Sequence, residues 1–123
     1  MCITAPNIKT ATKDIEVFKV FYNGKTPFVG EMSVDEVTTR RASWFDYNLG
    51  YTVFKTKAGA ARYMNTLYVM FGGLNNTGFT VEALIIPAKT RYAEGTIQKH
   101  MVGEGMKAIR CQVLRKKGVK YGK

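Results

Sequence analysis

The stretch Gly50–Asn65, GYTVFKTKAGAARYMN, decides how the rest of the chain is read. Tyr51, Val53 and Lys55 alternate with Thr52 and Phe54, and β-branched and aromatic residues suit a pleated, half-buried surface, so a strand is expected here. Thr56 follows with a hydroxyl suited to accept a backbone N–H two or three residues on, which marks it as the N-cap of a helix. Ala58, Ala61, Met64 or Asn65, and Tyr68 fall on one stripe of that helix. The small residues Ala58, Gly59, Ala60 and Ala61 let it lie close against a sheet, with Lys57 and Arg62 turned away. Such a junction serves either as a plain packing unit or as a ligand site, where a helix N-terminus attracts an anion.

Upstream, IEVFKVFY at 15–22 is apolar on both parities apart from Glu16 and Lys19, the pattern of a central strand buried on both faces. Asn23-Gly24 favours a type I′ turn, because both central positions need positive φ, and joins Tyr22 to Lys25 in a tight hairpin. Pro27 cannot donate to a ladder, so the returning strand over 25–31 is short or lies at an edge. Ser33-Val-Asp-Glu36 fits a capping box and opens a short helix to about Arg41, with Arg40 and Arg41 at the negative end of its dipole. Trp44, Phe45, Tyr47 and Tyr51 form an aromatic cluster that reads as core, as subunit interface or as a stacking surface, and it allows a homodimer. Residues 1–13 are polar, contain Pro6 and show no period, and read as a flexible N-terminal arm.

Downstream, residues 67–71 extend the helix or begin a strand, and GGLNNTG at 72–78 is a connection without the spacing or lysine of a phosphate-binding loop. FTVEALII at 79–86 is a strand, with Phe79, Val81, Ala83 and Ile85 on one side and Thr80, Glu82, Leu84 and Ile86 on the other; Pro87 ends it. PAKTRYAEGT then supplies Lys89, Arg91 and Tyr92 on an exposed turn, a mixture suited to gripping phosphates and stacking a base. Residues 97–105 are irregular and include His100. The segment 107–115 alternates Ile109, Cys111 and Val113 inward with Arg110 and Gln112 outward, a half-buried strand. These elements predict a single α+β domain over 14–115, with a mostly antiparallel sheet of about five strands, two or three short helices and a basic C-terminal tail over 116–123.

The 123 residues suffice for one domain with one core. Apolar runs are too short for a membrane span, and the opening lacks the basic and apolar regions of a secretory leader, so a cytoplasmic protein with no membrane partner is expected. Cys2 and Cys111 are expected as reduced thiols. His100 with two remote cysteines makes no zinc site, and neither a metal nor a cofactor is expected. Asp14, Glu16, Glu31, Asp35, Glu36 and Asp46 are scattered among structural roles, and no two are forced into the register that acid–base catalysis needs. Cys111 on an inward parity is an inert thiol. No catalytic residue is assigned, and the expectation is a protein that is not an enzyme.

Charge says more. The net +10 is not spread along the chain: residues 1–54 carry six basic and six acidic side chains, residues 55–123 thirteen basic and only Glu82, Glu94 and Glu104. That asymmetry points to an anionic partner for the second half. Arg62, Lys89, Arg91, Tyr92 and Arg110 are the candidate ligand-binding residues, with Arg115, Lys116 and Lys117 as tail contacts. With Lys99 they form one basic face if the last strand lies beside 79–86. Such a face suits RNA, DNA, a phosphorylated nucleotide or an acidic protein.

Four segments, MCITA, IEVFKVFYNGKTPFVG, GYTVFKTKAGAARYMN and TVEALIIPAKTRYAEGT, resemble in their order a group of small, largely uncharacterised bacteriophage-encoded proteins. That group shares a hairpin with a Lys-Thr/Ser-Pro-Phe/Tyr return, a Gly-aromatic-x-x-Phe strand feeding an Ala-rich helix, and a strand ending in Ile-Pro before a Tyr-x-x-Gly turn. The likeness covers most of residues 1–96. A histidine common in the group at the position of Thr52 or Val53 is missing here. The resemblance implies a role in host takeover or anti-defence in the host cytoplasm, as an inhibitor that occupies a host or defence-system protein or sequesters a signal nucleotide. A sequence-tolerant DNA- or RNA-binding protein is the alternative.

Overall fold

In a computed structural model, which describes residues 3–26, 32–42, 50–70, 78–97 and 106–117, the chain order is β1 (Ile3–Thr10), β2 (Ile15–Tyr22), α1 (Val34–Thr39), β3 (Tyr51–Val53), α2 (Lys57–Met70), β4 (Phe79–Ile86), β5 (Arg91–Ile97), β6 (Met106–Cys111) and β7 (Arg115–Lys116). All pairings are antiparallel and build two sheets, β1-β5-β6-β3 and β2-β4-β7. The protein is an α+β domain, mostly antiparallel sheet, as the sequence implies. Trp44, Phe45, Tyr47, Lys99 and His100, the returning strand beyond Thr26 and the tail beyond Lys117 lie outside the described residues.

Strand β2 shows why both of its parities are apolar. Val17 and Phe21 enter one core cluster with Val53, Leu84, Ile86, Tyr92 and Ile109, while Val20 enters another with Phe54, Ala60, Tyr63, Leu67 and Phe79. The two clusters lie on opposite faces of the sheets, and neighbouring residues on one strand supply both. Helix α2 covers one face. Asn23 and Gly24 take φ of 52° and 78°, and Tyr22 and Lys25 exchange both backbone hydrogen bonds, so the tight turn forms as its dipeptide dictates. The capping box is complete: Glu36 N–H donates to Ser33 Oγ at 3.2 Å and Ser33 N–H to Glu36 Oε1 at 3.0 Å.

Two expectations are corrected. The N-terminal arm is not a mobile segment over its length: Ile3–Thr10 is the edge strand β1, paired with β5, its register shifting between Thr4 and Asn7 around Pro6. The buried stripe of α2 is Ala60, Tyr63 and Leu67; of the expected stripe of Ala58, Ala61, Met64 or Asn65, and Tyr68, Met64 packs beside that core while Ala58 and Asn65 are exposed. Strands β1 and β5, polar enough in composition to read as loop, bring the strands among the described residues to seven.

Candidate functional site

The site begins with a change of partner. Strand β3 pairs with β6 at Tyr51–Cys111, Thr52–Arg110 and Val53–Ile109. The next residue, Phe54, turns instead to β2: its N–H donates to Phe18 O and Phe18 N–H donates to Phe54 O, both at 2.8 Å. Phe54 also packs its ring 4.9 Å from that of Tyr63 on α2, which holds the chain on this course. From Phe54 on, β6 therefore has no β3 partner at Ala108 and Lys107, and a fork opens between that edge and the start of α2.

A groove of about 460 Å³ occupies the fork, with Phe54, Ala58, Ala108 and Ile109 as its apolar lining. Helix α2 starts at its lip, where Thr56 Oγ1 accepts Gly59 N–H at 2.9 Å, so Thr56 is the N-cap the sequence implies. Lys55, Arg62 and Lys107 bring three cations to the lining and Glu94 one carboxylate. Register explains part of this set. Glu94 lies opposite Ile109 and Thr96 opposite Lys107, so Glu94 and Lys107 are diagonal neighbours on one face of the sheet.

Glu94 takes an ammonium on each oxygen, Lys9 at 2.6 Å and Lys55 at 3.1 Å. The hydrogen bond from Lys9, helped by Lys55, holds this carboxyl below its ordinary range although partial burial works the other way. Arg62 and Lys107 make no ion pair among the described residues and are exposed at the groove. The groove thus presents a surplus of positive charge beside one fixed acceptor.

The basic face expected from sequence does not form as a unit. Strand β6 lies between β5 and β3, not beside β4; of the expected last strand over 107–115 and the tail, only the two residues of β7 pair with β4, whose other neighbour is β2. Of the candidates, Arg62 lines the groove. Lys89 is exposed in the turn before β5, its backbone at φ 70° and its N–H donating to Ala11 O at 2.7 Å. Arg91 opens β5, three residues from Glu94 and so on the opposite face by strand alternation. Tyr92 is not on an exposed turn: it is a core residue of β5, 8% exposed. Arg110 is 4% exposed, because the face expected to be solvated is covered by α2. The tail contacts are engaged within the molecule: Arg115 Nη1 donates to Leu114 O at 3.0 Å, Lys116 pairs with Asp35, and Lys117 with Glu16 at 2.5 Å.

Lys55, Lys107 and Glu94 are not among the sequence candidates. Lys55 shares the parity of Tyr51 and Val53, Lys107 opens the last long strand, and Glu94 is one of three acids in the second half. Those signals mark strand ends and local charge balance, but without the fork they do not show that the three meet.

A second charged group sits deep in the protein. Lys19 on β2 is 6% exposed; its Nζ donates to Thr52 O at 3.0 Å and lies 5.9 Å from the ring centres of Phe21 and Tyr51. Burial pushes its pKa down to about 8, with Arg110 adding to that effect and Cys111 opposing it. Burial likewise pushes the Cys111 thiol up to about 12, as expected for an inert inward cysteine. No helix among the described residues is long and apolar enough to cross a membrane.

Compared with protein-family models, curated proteins and solved structures, the chain matches none.

Proposed function

We propose that this is a non-enzymatic phage accessory protein of the host cytoplasm, which disarms a host or defence factor by sequestering a phosphorylated nucleotide in the groove between α2 and β6. The observation that carries the reading is the juxtaposition of Arg62 and Lys107, which make no ion pair among the described residues, in a groove of mononucleotide dimensions. The guanidinium makes bidentate contacts to phosphate, and the ammonium adds a point charge. The first turn of α2, with N–H groups that have no intrahelical acceptor, adds to the positive potential. Glu94, held ionised by two lysines, is a fixed acceptor and a poor proton donor, which favours capture over chemistry. The ordered motifs shared with the phage group support the biological setting.

Extended nucleic acid is the weaker reading. It needs a continuous row of free cations, whereas Lys116 and Lys117 are committed to Asp35 and Glu16, and Arg110 is buried. The test is calorimetric titration with nucleotides, comparing the unaltered chain with the double variant Arg62→Ala, Lys107→Ala. Saturable one-to-one binding that weakens at least tenfold in the variant, with unchanged thermal unfolding, is expected. Failure of every nucleotide to saturate the unaltered chain sinks the reading.

A further inference from the structure

We propose that the groove selects ribonucleoside phosphates, with Arg62 and Lys107 on the phosphate and the Glu94 carboxylate on the adjacent 2′ and 3′ hydroxyls of the ribose. This rests on the nucleotide-capture reading above and names its ligand class. The inference starts from a chemical mismatch. A groove built only to hold an anion gains nothing from a carboxylate in its wall, because an ionised carboxylate accepts hydrogen bonds and repels phosphate. Yet Glu94 lines the same groove as Arg62 and Lys107, which make no ion pair among the described residues.

The two lysines on Glu94 do not exhaust it. An ionised carboxylate has about four acceptor positions, two on each oxygen. Lys9 takes one on Oε1 and Lys55 one on Oε2, so each oxygen keeps one. Two acceptors side by side on a rigid, doubly anchored group match two neighbouring hydroxyl donors. The vicinal diol of ribose has that pattern, and a deoxyribose or a bare phosphate does not. Lys9 and Lys55 then serve as positioning residues: they fix the carboxylate on the groove wall and keep it ionised.

The full chain is titrated by calorimetry with the four ribonucleoside 5′-monophosphates, their 2′,3′-dideoxy counterparts and inorganic phosphate. At least one ribonucleotide is expected to bind tenfold or more tightly than its dideoxy form. In Glu94→Gln that ratio falls to near one, while in Arg62→Ala both affinities drop and the ratio is kept. Equal binding of ribo and dideoxy forms by the unaltered chain overturns ribose selection and leaves phosphate capture standing. A uniform gain in affinity for every phosphate in Glu94→Gln also overturns it, since Glu94 is then only a counter-ion. Absence of binding by any probe overturns both readings together.

Discussion

Lys19 is a residue whose burial opposes folding. The unfolded chain holds its proton up to about pH 10.5, whereas the folded protein releases it near pH 8. Between those values the unfolded state binds more protons, so stability rises with pH; below pH 8 the whole penalty of burying the ammonium remains, on the order of 3 kcal/mol. Cys111 acts in the opposite sense: its thiol ionises near pH 9 when unfolded and near pH 12 when folded, so its contribution is lost as pH rises above 9. Tyr63, pushed up from 10 to about 12 by burial, adds to that loss. Urea unfolding should therefore show stability climbing from pH 8 to about 9 and then levelling and falling. In Lys19→Met the climb is expected to vanish, and at pH 7 the variant should be more stable by about 1–3 kcal/mol, less than the full penalty because Thr52 O loses its donor. A climb retained in Lys19→Met would show that another group causes it. Gly50 gives the converse case: its φ is 103°, and a Cβ at this position would collide with the carbonyl of Cys111, so no side chain fits. Gly50→Ala should lose roughly 3 kcal/mol or more of stability in the same assay.

Among the elements, α2 shows what the sequence reveals and where it falls short. Its N-cap and its docking on a sheet are legible, because Thr56, the alanine run and the preceding Tyr51–Phe54 alternation each act locally, whereas residues 67–71 leave its length open. Its buried stripe is not. A run of four small residues, Ala58 to Ala61, supports two stripes equally well, and the choice falls to the large side chains that follow, Tyr63 and Leu67, which pack on Phe54 and Val20. Leu67→Ala should accordingly cost about 2–5 kcal/mol, whereas Asn65→Ala on the solvent side should stay within about 0.5 kcal/mol; thermal unfolding distinguishes the two stripes directly. Strands β1 and β5 escape a sequence reading for a related reason. An edge strand with Pro6 avoids the apolar alternation of a central one, and β5 puts the charged Glu94 on the same face as buried Tyr92, beside charged groups at the groove. The capping box and the Asn23-Gly24 turn are legible because their hydrogen bonds close within a few residues. The fork at Phe54 depends on β2 arriving from 36 residues upstream, and nothing in Gly50–Asn65 alone marks it.

At the scale of the whole molecule, the charge asymmetry of the sequence is offset in part by ion pairs within the fold. Some of the cations of the second half are paired within the fold: Lys116 reaches Asp35 and Lys117 reaches Glu16 in the first half, and Lys55 joins Lys9 on Glu94. These exposed pairs add little stability one by one, but each removes a cation from the set free to meet a polyanion. The groove retains Arg62 and Lys107, with Lys55 shared, while Lys89 and Arg91 stand apart from it. That distribution has a measurable signature. A single-stranded oligonucleotide engages only two or three cations at the groove, so the logarithm of its binding constant should fall against the logarithm of salt with a slope of about −1.5 to −2. A continuous face joining Arg62, Lys89, Arg91, Arg110, Arg115, Lys116 and Lys117 would give a slope of about −5. Fluorescence anisotropy across a salt series separates the two values. The steeper slope would mean that the ion pairs open and the cations regroup on contact with the strand, and nucleic acid would then displace the single nucleotide as the partner this surface serves.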